Sequence, residues 1–368
     1  MQIDLKDNRL EYCGRIDWEG DAPVFIFPST FLLFSFFGRR AVLTVENRRL
    51  YWDNYAGAIV DGVQKKYYLQ PEGATEIVLV EDEPGQEREH TMLFFKRQDA
   101  CHEMKLCSLM LSDESRLTGD LAGRIPSEYP ADNRLPGVLK SQGMKIEVYG
   151  DSVSAGEVSE AVSCAGMSDP RHQGEYSNSW YSFVWITARM LHARLHNISQ
   201  GGIPLMSGSG YVKPDYPGME DIWDKLSYRP ELGEVKAWDF QRYTPDIVIV
   251  AVGQNDSFPR DFMREEPDGE MAALWKSRYR EFVKKLRKKY PEAVILLMTT
   301  VMEHHKNWDR AIGEVCGMLD DERVKHFCFR ENGRKTPGHI RVPEAEEMAG
   351  ELADYIRNVA KLSLLSKV

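Results

Sequence analysis

From Met144 onward the sequence alternates apolar, β-branched runs with segments long enough for helices. That alternation confines this part of the chain to an α/β layer fold with a mainly parallel sheet. The runs lie at 145–149, 247–252 and 294–300, and the helical segments near 178–196, 269–290 and 344–362. The run Ile-Val-Ile-Val-Ala-Val after Asp246 has no polar interruption, as expected of a strand covered on both faces. The region in front reads differently. Short aromatic and β-branched runs at 24–27, 31–37, 41–45, 58–60, 76–80 and 92–96 are separated by turn residues, with Asp61-Gly62 a hairpin signal and Gly38-Arg39-Arg40 a second turn. This spacing predicts an all-β sandwich or jelly roll over 1–125, a proline- and glycine-bearing connection over 126–143, and the α/β domain over 144–368.

Four segments of the α/β part carry chemistry. The 145–149 run leads into Gly150-Asp151-Ser152-Val153, which places a hydroxyl at the end of a strand. Glycine, aspartate and serine are also ordinary turn and cap residues, so the tripeptide alone says little. Asn197-Ile198-Ser199-Gln200-Gly201-Gly202 follows a helix-like stretch, and a glycine there lets a backbone N–H approach a ligand. The 247–252 run ends in Gly253-Gln254-Asn255-Asp256, at the strand edge where α/β proteins bind ligands; Asn255 offers a side-chain amide. Gly338-His339 comes after a polar loop and before Pro343 and a helix with apolar Met348, Leu352, Tyr355, Ile356 and Val359.

In this order the four segments resemble the SGNH, or GDSL-type, hydrolase superfamily, with its flavodoxin-like parallel sheet. The resemblance implies that Ser152 attacks an ester carbonyl and His339 takes its proton. The N–H groups of Ser152 and Gly202 and the amide of Asn255 would hold the oxyanion. The physical requirement is general: a serine hydroxyl needs a base within hydrogen-bond reach, and each preorganised oxyanion donor is typically worth about 3 to 4 kcal/mol in kcat. Many relatives place an aspartate three residues before the histidine, where this chain has Thr336. The expectation is therefore a Ser152–His339 dyad, with a backbone carbonyl of the 335–338 loop accepting the Nδ1 proton. Asp151 and Asp256 read as anchors of their own loops. His192 and His196 fall in the helix-like stretch, and with His90, His102 and His326 they read as structural or solvated.

Composition narrows the function classes. The chain has 368 residues, of which 42% are hydrophobic and 28% charged, with 47 basic and 57 acidic residues and a net charge of −10. This balance disfavours nucleic acid as a partner, and the basic stretch at 284–289 fits the exposed C-terminal end of a helix. The 6 cysteines, at 13, 101, 107, 164, 316 and 328, show no C-x-x-C pair or zinc-type spacing, so neither a metal nor another cofactor is expected. The first residues lack a basic start before an apolar core, and Phe31–Phe37 is too short to span a bilayer, so the expected location is the cytoplasm, away from membranes. The Phe-rich front strands suggest self-association into a homo-oligomer.

A β domain before an SGNH domain resembles carbohydrate esterase family two. The narrower likeness is carried by Gly14-Arg15-Ile16-Asp17, the Phe-rich strand ending in Gly38, Tyr55-Ala56-Gly57-Ala58-Ile59-Val60-Asp61-Gly62 and His90-Thr91-Met92-Leu93-Phe94-Phe95-Lys96-Arg97. It implies acetylxylan esterase-like removal of O-acetyl groups from xylan- or mannan-type plant polysaccharides or oligosaccharides, through an acetyl-Ser152 intermediate. Sugar rings stack on aromatic walls, and Tyr211 and Trp308 are the candidates here, each equally well read as packing. The front domain reads as a structural lid on the cleft rather than as a sugar-binding module. Two alternatives stay open: a catalytically weak carbohydrate-binding protein, and a lipase or lysophospholipase-type GDSL esterase.

Overall fold

The computed structural model describes residues 1–119, 143–211 and 217–365, so the expected 126–143 connection lies almost wholly outside the described residues. The front region is a sandwich of two antiparallel sheets. One runs in the order Ile16–Glu19, Ala22–Phe25, His102–Leu111, Arg40–Arg49, Ala74–Glu81, with Gln2–Ile3 also pairing His102–Leu111. The other runs Arg116–Leu117, Phe31–Gly38, Arg88–Lys96, Asn54–Val60, Val63–Leu69, with Glu11–Cys13 pairing Phe31–Gly38. Asp61 and Gly62 form the expected two-residue hairpin: Val60 pairs Val63, and both turn residues have positive φ, 49° and 84°. The turn at Arg39 carries the chain from one sheet to the other.

The Phe31–Gly38 strand is apolar on both faces for a reason that the sequence conceals. Leu32, Phe34 and Phe36 fill the sandwich core. Phe31 and Leu33 point the other way, into a second core shared with Ile146, Val148, Trp180 and Trp185 of the α/β domain. Phe31 stacks on Trp185 at 6.0 Å, and Phe95 meets the same ring edge-on at 5.3 Å. The apolar surface that suggested self-association is thus covered by the chain's own second domain.

The second domain holds a five-stranded parallel sheet in the order Arg194–Ser199, Lys145–Gly150, Ile247–Ala251, Val294–Leu297, Val324–His326. This is the flavodoxin-like arrangement. The helices Glu270–Lys289 and Val342–Leu365 lie where periodicity places them, and the basic residues Arg287, Lys288 and Lys289 occupy the last turn of the former. The helix expected over 178–196 is a correction. A short 3-10 turn and the helix Phe183–Met190 end at His192, whose φ is 50°, and Arg194–Ser199 is a strand. This strand is buried on both sides, Leu195 facing one core and Ile198 the other, so it shows no alternation and its His196 and Asn197 disguise it. The helix Asn307–Leu319 was not expected at all. Among the described residues no helix is long and apolar enough to cross a membrane.

Candidate active site

Strand register brings three of the four segments together. Gly150 pairs Ser199 on one side and Ala251 on the other, so the chain leaves the sheet at one level towards Ser152, Gly202 and Asn255. Ser152 opens the short helix Ser152–Ala155, and Asp151 caps it by accepting the Val153 N–H at 3.0 Å. Burial pushes the pKa of Asp151 up to about 6. Its other oxygen accepts from Gln254 Nε2 at 2.8 Å and lies 3.4 Å from Asn255 Nδ2, which ties the nucleophile turn to the third segment. Asn255 Nδ2 also donates to the Ile203 carbonyl at 3.1 Å, so its amide faces the Gly202 loop. Asp256 accepts the N–H groups of Leu205 and Met206, at 2.7 and 3.1 Å, and burial raises its pKa to about 7. Both aspartates are therefore anchors, in agreement with their sequence reading.

Gly202 has φ +69°, a conformation that favours glycine. Its N–H and that of Ser152 make no hydrogen bond among the described residues, whereas the Gly201 N–H is taken by Asp99 Oδ2 at 2.5 Å. Two backbone donors without a partner among the described residues thus lie on the loops that leave the sheet edge at this level.

The orientation of His339 departs from expectation. No carbonyl of the 335–338 loop serves it; Nδ1 lies 2.5 Å from Asp169 Oδ2, and the His339 backbone N–H donates to Asp169 Oδ1 at 2.8 Å. The missing carboxylate arrives from a loop far upstream in sequence. It is itself held by Arg341, whose guanidinium lies 2.9 Å from Asp169 Oδ1, and the same segments are tied again through Glu344, which accepts from Gly166 and Arg341 N–H groups at 2.9 and 2.8 Å. Burial alone would lower the His339 pKa, but the carboxylates of Glu157, Asp169 and Asp151 outweigh it and hold it above the ordinary value. Burial likewise works against the Asp169 charge, and the His339 and Arg341 partners win, so its carboxyl sits well below the usual range. The helix that follows docks on the nucleophile loop, with Val342 N–H donating to Ser159 O at 3.0 Å. His339 Nε2 faces that loop, 4.0 Å from Glu157 Oε2.

The two aromatic candidates separate. Tyr211 is 64% exposed, stacks on Phe258 at 4.5 Å and donates its N–H to the Gly202 carbonyl at 3.1 Å, so it borders the site. Trp308 is fully buried, packed edge-on against Phe262 and Trp275 at 5.2 and 5.3 Å, with Nε1 donating to Asp261. Its place on an unexpected helix makes it core, which removes it as a cleft wall. The front domain supplies what sequence reasoning missed: Trp52, Gln98 and Asp99 line a pocket together with Ala155, Glu157 and Ser177. No local motif marks these residues, because only the domain packing unites them.

Among the described residues two groups bring metal-type donors within 4.8 Å of one another: Asp99 with Cys101 and His102, and Asp309 with His326 and Cys328. In both, the carboxylate already has partners. Asp99 accepts from Gly201, Gln200 and Cys101. Asp309 accepts from Thr299 and Asn332 and faces His304. Burial pushes His102 down to about 3 and Cys101 well up, which keeps both neutral.

Residues 12–119 match the carbohydrate esterase 2 N-terminal family. The chain is 24% identical to the cellulase/esterase CelE of Acetivibrio thermocellus over 94% of its own length and 39% of that protein. It is 29% identical to the acetylxylan esterase / glucomannan deacetylase of Cellvibrio japonicus over 58% of its length and 57% of that protein. The chain thus spans well under two thirds of these curated relatives. Among solved structures, an acetyl xylan esterase (Est2A) from the rumen bacterium Butyrivibrio proteoclasticus superposes with TM-score 0.77 at 19% identity, covering 98% of each chain. A family two carbohydrate esterase from Clostridium thermocellum, in complex with cellohexaose, gives 0.75 at 22% identity over 96% of this chain and 99% of the other. The chain therefore carries the N-terminal domain of the carbohydrate esterase 2 family and, across both domains, the fold of the family two carbohydrate esterases.

Proposed function

We propose that the protein is a serine esterase that removes O-acetyl groups from xylan- or mannan-type polysaccharides or oligosaccharides. The observation that carries this reading is the Asp169–His339 pair, at 2.5 Å, seated against the loop of a serine, with two backbone donors that have no partner among the described residues on the loops of that sheet edge. With Nδ1–H donating to Asp169, Nε2 is the basic nitrogen. In the proposed reaction it takes the Ser152 proton as Oγ attacks the acetyl carbonyl. The oxyanion meets the N–H groups of Ser152 and Gly202 and the Asn255 amide. The imidazolium then protonates the departing sugar oxygen as its bond to the carbonyl carbon breaks, leaving acetyl-Ser152 and a free sugar hydroxyl, and a water activated by His339 releases acetate. Asp169 keeps the ring in one tautomer and stabilises its charged form.

The substrate class is supported by the printed activities of the relatives and by the exposed Tyr211–Phe258 pair on the Gly202 loop. The carbohydrate-binding alternative rested on a histidine without a carboxylate, and Asp169 removes that motive. The test is acetate release from acetylated xylo- and manno-oligosaccharides by the protein and by Ser152→Ala. Release by the former alone is expected. Equal background release by both would overturn the esterase reading, and a rate that grows with acyl length on 4-nitrophenyl esters would favour the lipase-type alternative.

A further inference from the structure

Glu157 enters the chemistry above only through its charge, which helps to hold the His339 pKa up. Its backbone N–H donates to the Ser152 carbonyl at 3.0 Å, one turn beyond the nucleophile. Its side chain is 13% exposed and lines the pocket between the two domains, facing Trp52, Gln98 and Asp99 of the front domain. The pocket is narrow and opens to solvent. Among the described residues the Glu157 carboxylate accepts no hydrogen bond; His339 Nε2 lies 4.0 Å from it, beyond hydrogen-bond reach. Asp99 Oδ2 and Glu157 Oε2 would each lie 2.8 Å from a Cβ at Gly201, so both converge on bare backbone. Asp99 is fully engaged there, accepting from Gly201, Gln200 and Cys101 at 2.5, 2.9 and 3.1 Å. The Glu157 carboxyl thus has the distant His339 charge but no hydrogen-bond donor of its own, and burial raises its pKa to about 7.

In its ionised form this carboxylate accepts hydrogen bonds only. A hydroxyl is the matching donor, and the Trp52 ring supplies an apolar wall for the carbon that bears it. Glu157 Oε2 lies 4.0 Å from the His339 Nε2 that serves Ser152, which puts a hydroxyl reaching it on the same ring as the ester under attack. Resting on the esterase reading, we infer that Glu157 determines specificity by accepting a hydrogen bond from the sugar hydroxyl adjacent to the acetylated one.

The experiment compares kcat/KM on an acetylated methyl glycoside, on its analogue lacking the adjacent hydroxyl, and on 4-nitrophenyl acetate, for the protein, Glu157→Ala and Glu157→Gln. The unsubstituted protein is expected to prefer the hydroxyl-bearing glycoside by about 10-fold or more. Glu157→Ala is expected to reduce that preference below about 3-fold, with Glu157→Gln between; the preference is a ratio of two glycosides, so any change the variant makes through His339, read on 4-nitrophenyl acetate, cancels from it. An undiminished preference in Glu157→Ala would overturn the inference. So would an equal loss on all three substrates, which would make Glu157 a partner of His339 instead. Failure of the unsubstituted protein to cleave either glycoside would sink the deacetylase reading itself, an outcome distinct from both.

Discussion

At the scale of the residue, the pairing of His339 with Asp169 has consequences for pH. The His339 pKa is raised above 6.5, so its interactions contribute stability that is fully present below 6.5 and lost as pH rises through the raised value. Asp169 is depressed from 3.8, so its contribution is present above 3.8 and lost as pH falls through the depressed value. The charged pair is thus strongest between these limits, whereas nucleophilic attack needs neutral His339. We expect kcat/KM on 4-nitrophenyl acetate to rise with pH through a midpoint above 6.5. A flat profile across pH 5 to 9 would contradict this. Ser152, Gly202, Asn255 and His339 stand out as candidates in the sequence because each lies in its own short motif. Asp169 was not, because a carboxylate needs only to reach Nδ1, and the chain delivers it from a Met167-Ser168-Asp169-Pro170 loop that carries no periodicity or spacing signal.

At the scale of the element, loops at the sheet edge are locked to one another by buried aspartates and by glycines that admit close approach. A Cβ on Gly338 would lie 2.6 Å from both Asp169 Oδ1 and Met167 O. Gly338→Ala is therefore predicted to push the Asp169 loop away and lower kcat by about 100-fold, since a displacement near 1 Å is enough for such a loss. An unchanged kcat would show that the contact yields freely. Asn255→Ala is predicted to cost about 100- to 1,000-fold in kcat with little change in KM, as for an oxyanion donor. A loss confined to KM would instead make Asn255 a ground-state contact. Strand and helix positions that alternate cleanly or recur at helical spacing were readable from sequence. The Arg194–Ser199 strand and the Asn307–Leu319 helix were not, the first because both faces are covered, the second because Trp308 follows a polar His304-His305-Lys306-Asn307 run.

At the scale of the whole molecule, the front domain is part of the site rather than an appendage. Its Phe31–Gly38 strand shares a core with the α/β domain, and its Asp99 holds the Gly201 N–H next to the candidate oxyanion donor. Arg15 crosses the same seam. Fully buried, it pairs with Glu147 at 3.1 Å and donates to the Trp223 and Lys225 carbonyls and the Tyr149 hydroxyl. Arg15→Met leaves Glu147 buried without its counter-charge and is predicted to cost about 3 to 5 kcal/mol in urea unfolding. The double variant Arg15→Met/Glu147→Leu should lose less than the sum of the two single changes. Strict additivity would mean that the two groups do not act as a pair. These domain contacts bear on the central claim, that an aspartate from a distant loop completes a serine esterase. The most direct measurement is kcat for acetate release by Asp169→Asn beside the unsubstituted protein across pH. The account predicts a fall of about 100- to 10,000-fold and a midpoint for His339 displaced to lower pH. Activity within about 3-fold and an unmoved profile would contradict it, and would return the histidine to a dyad that needs no carboxylate.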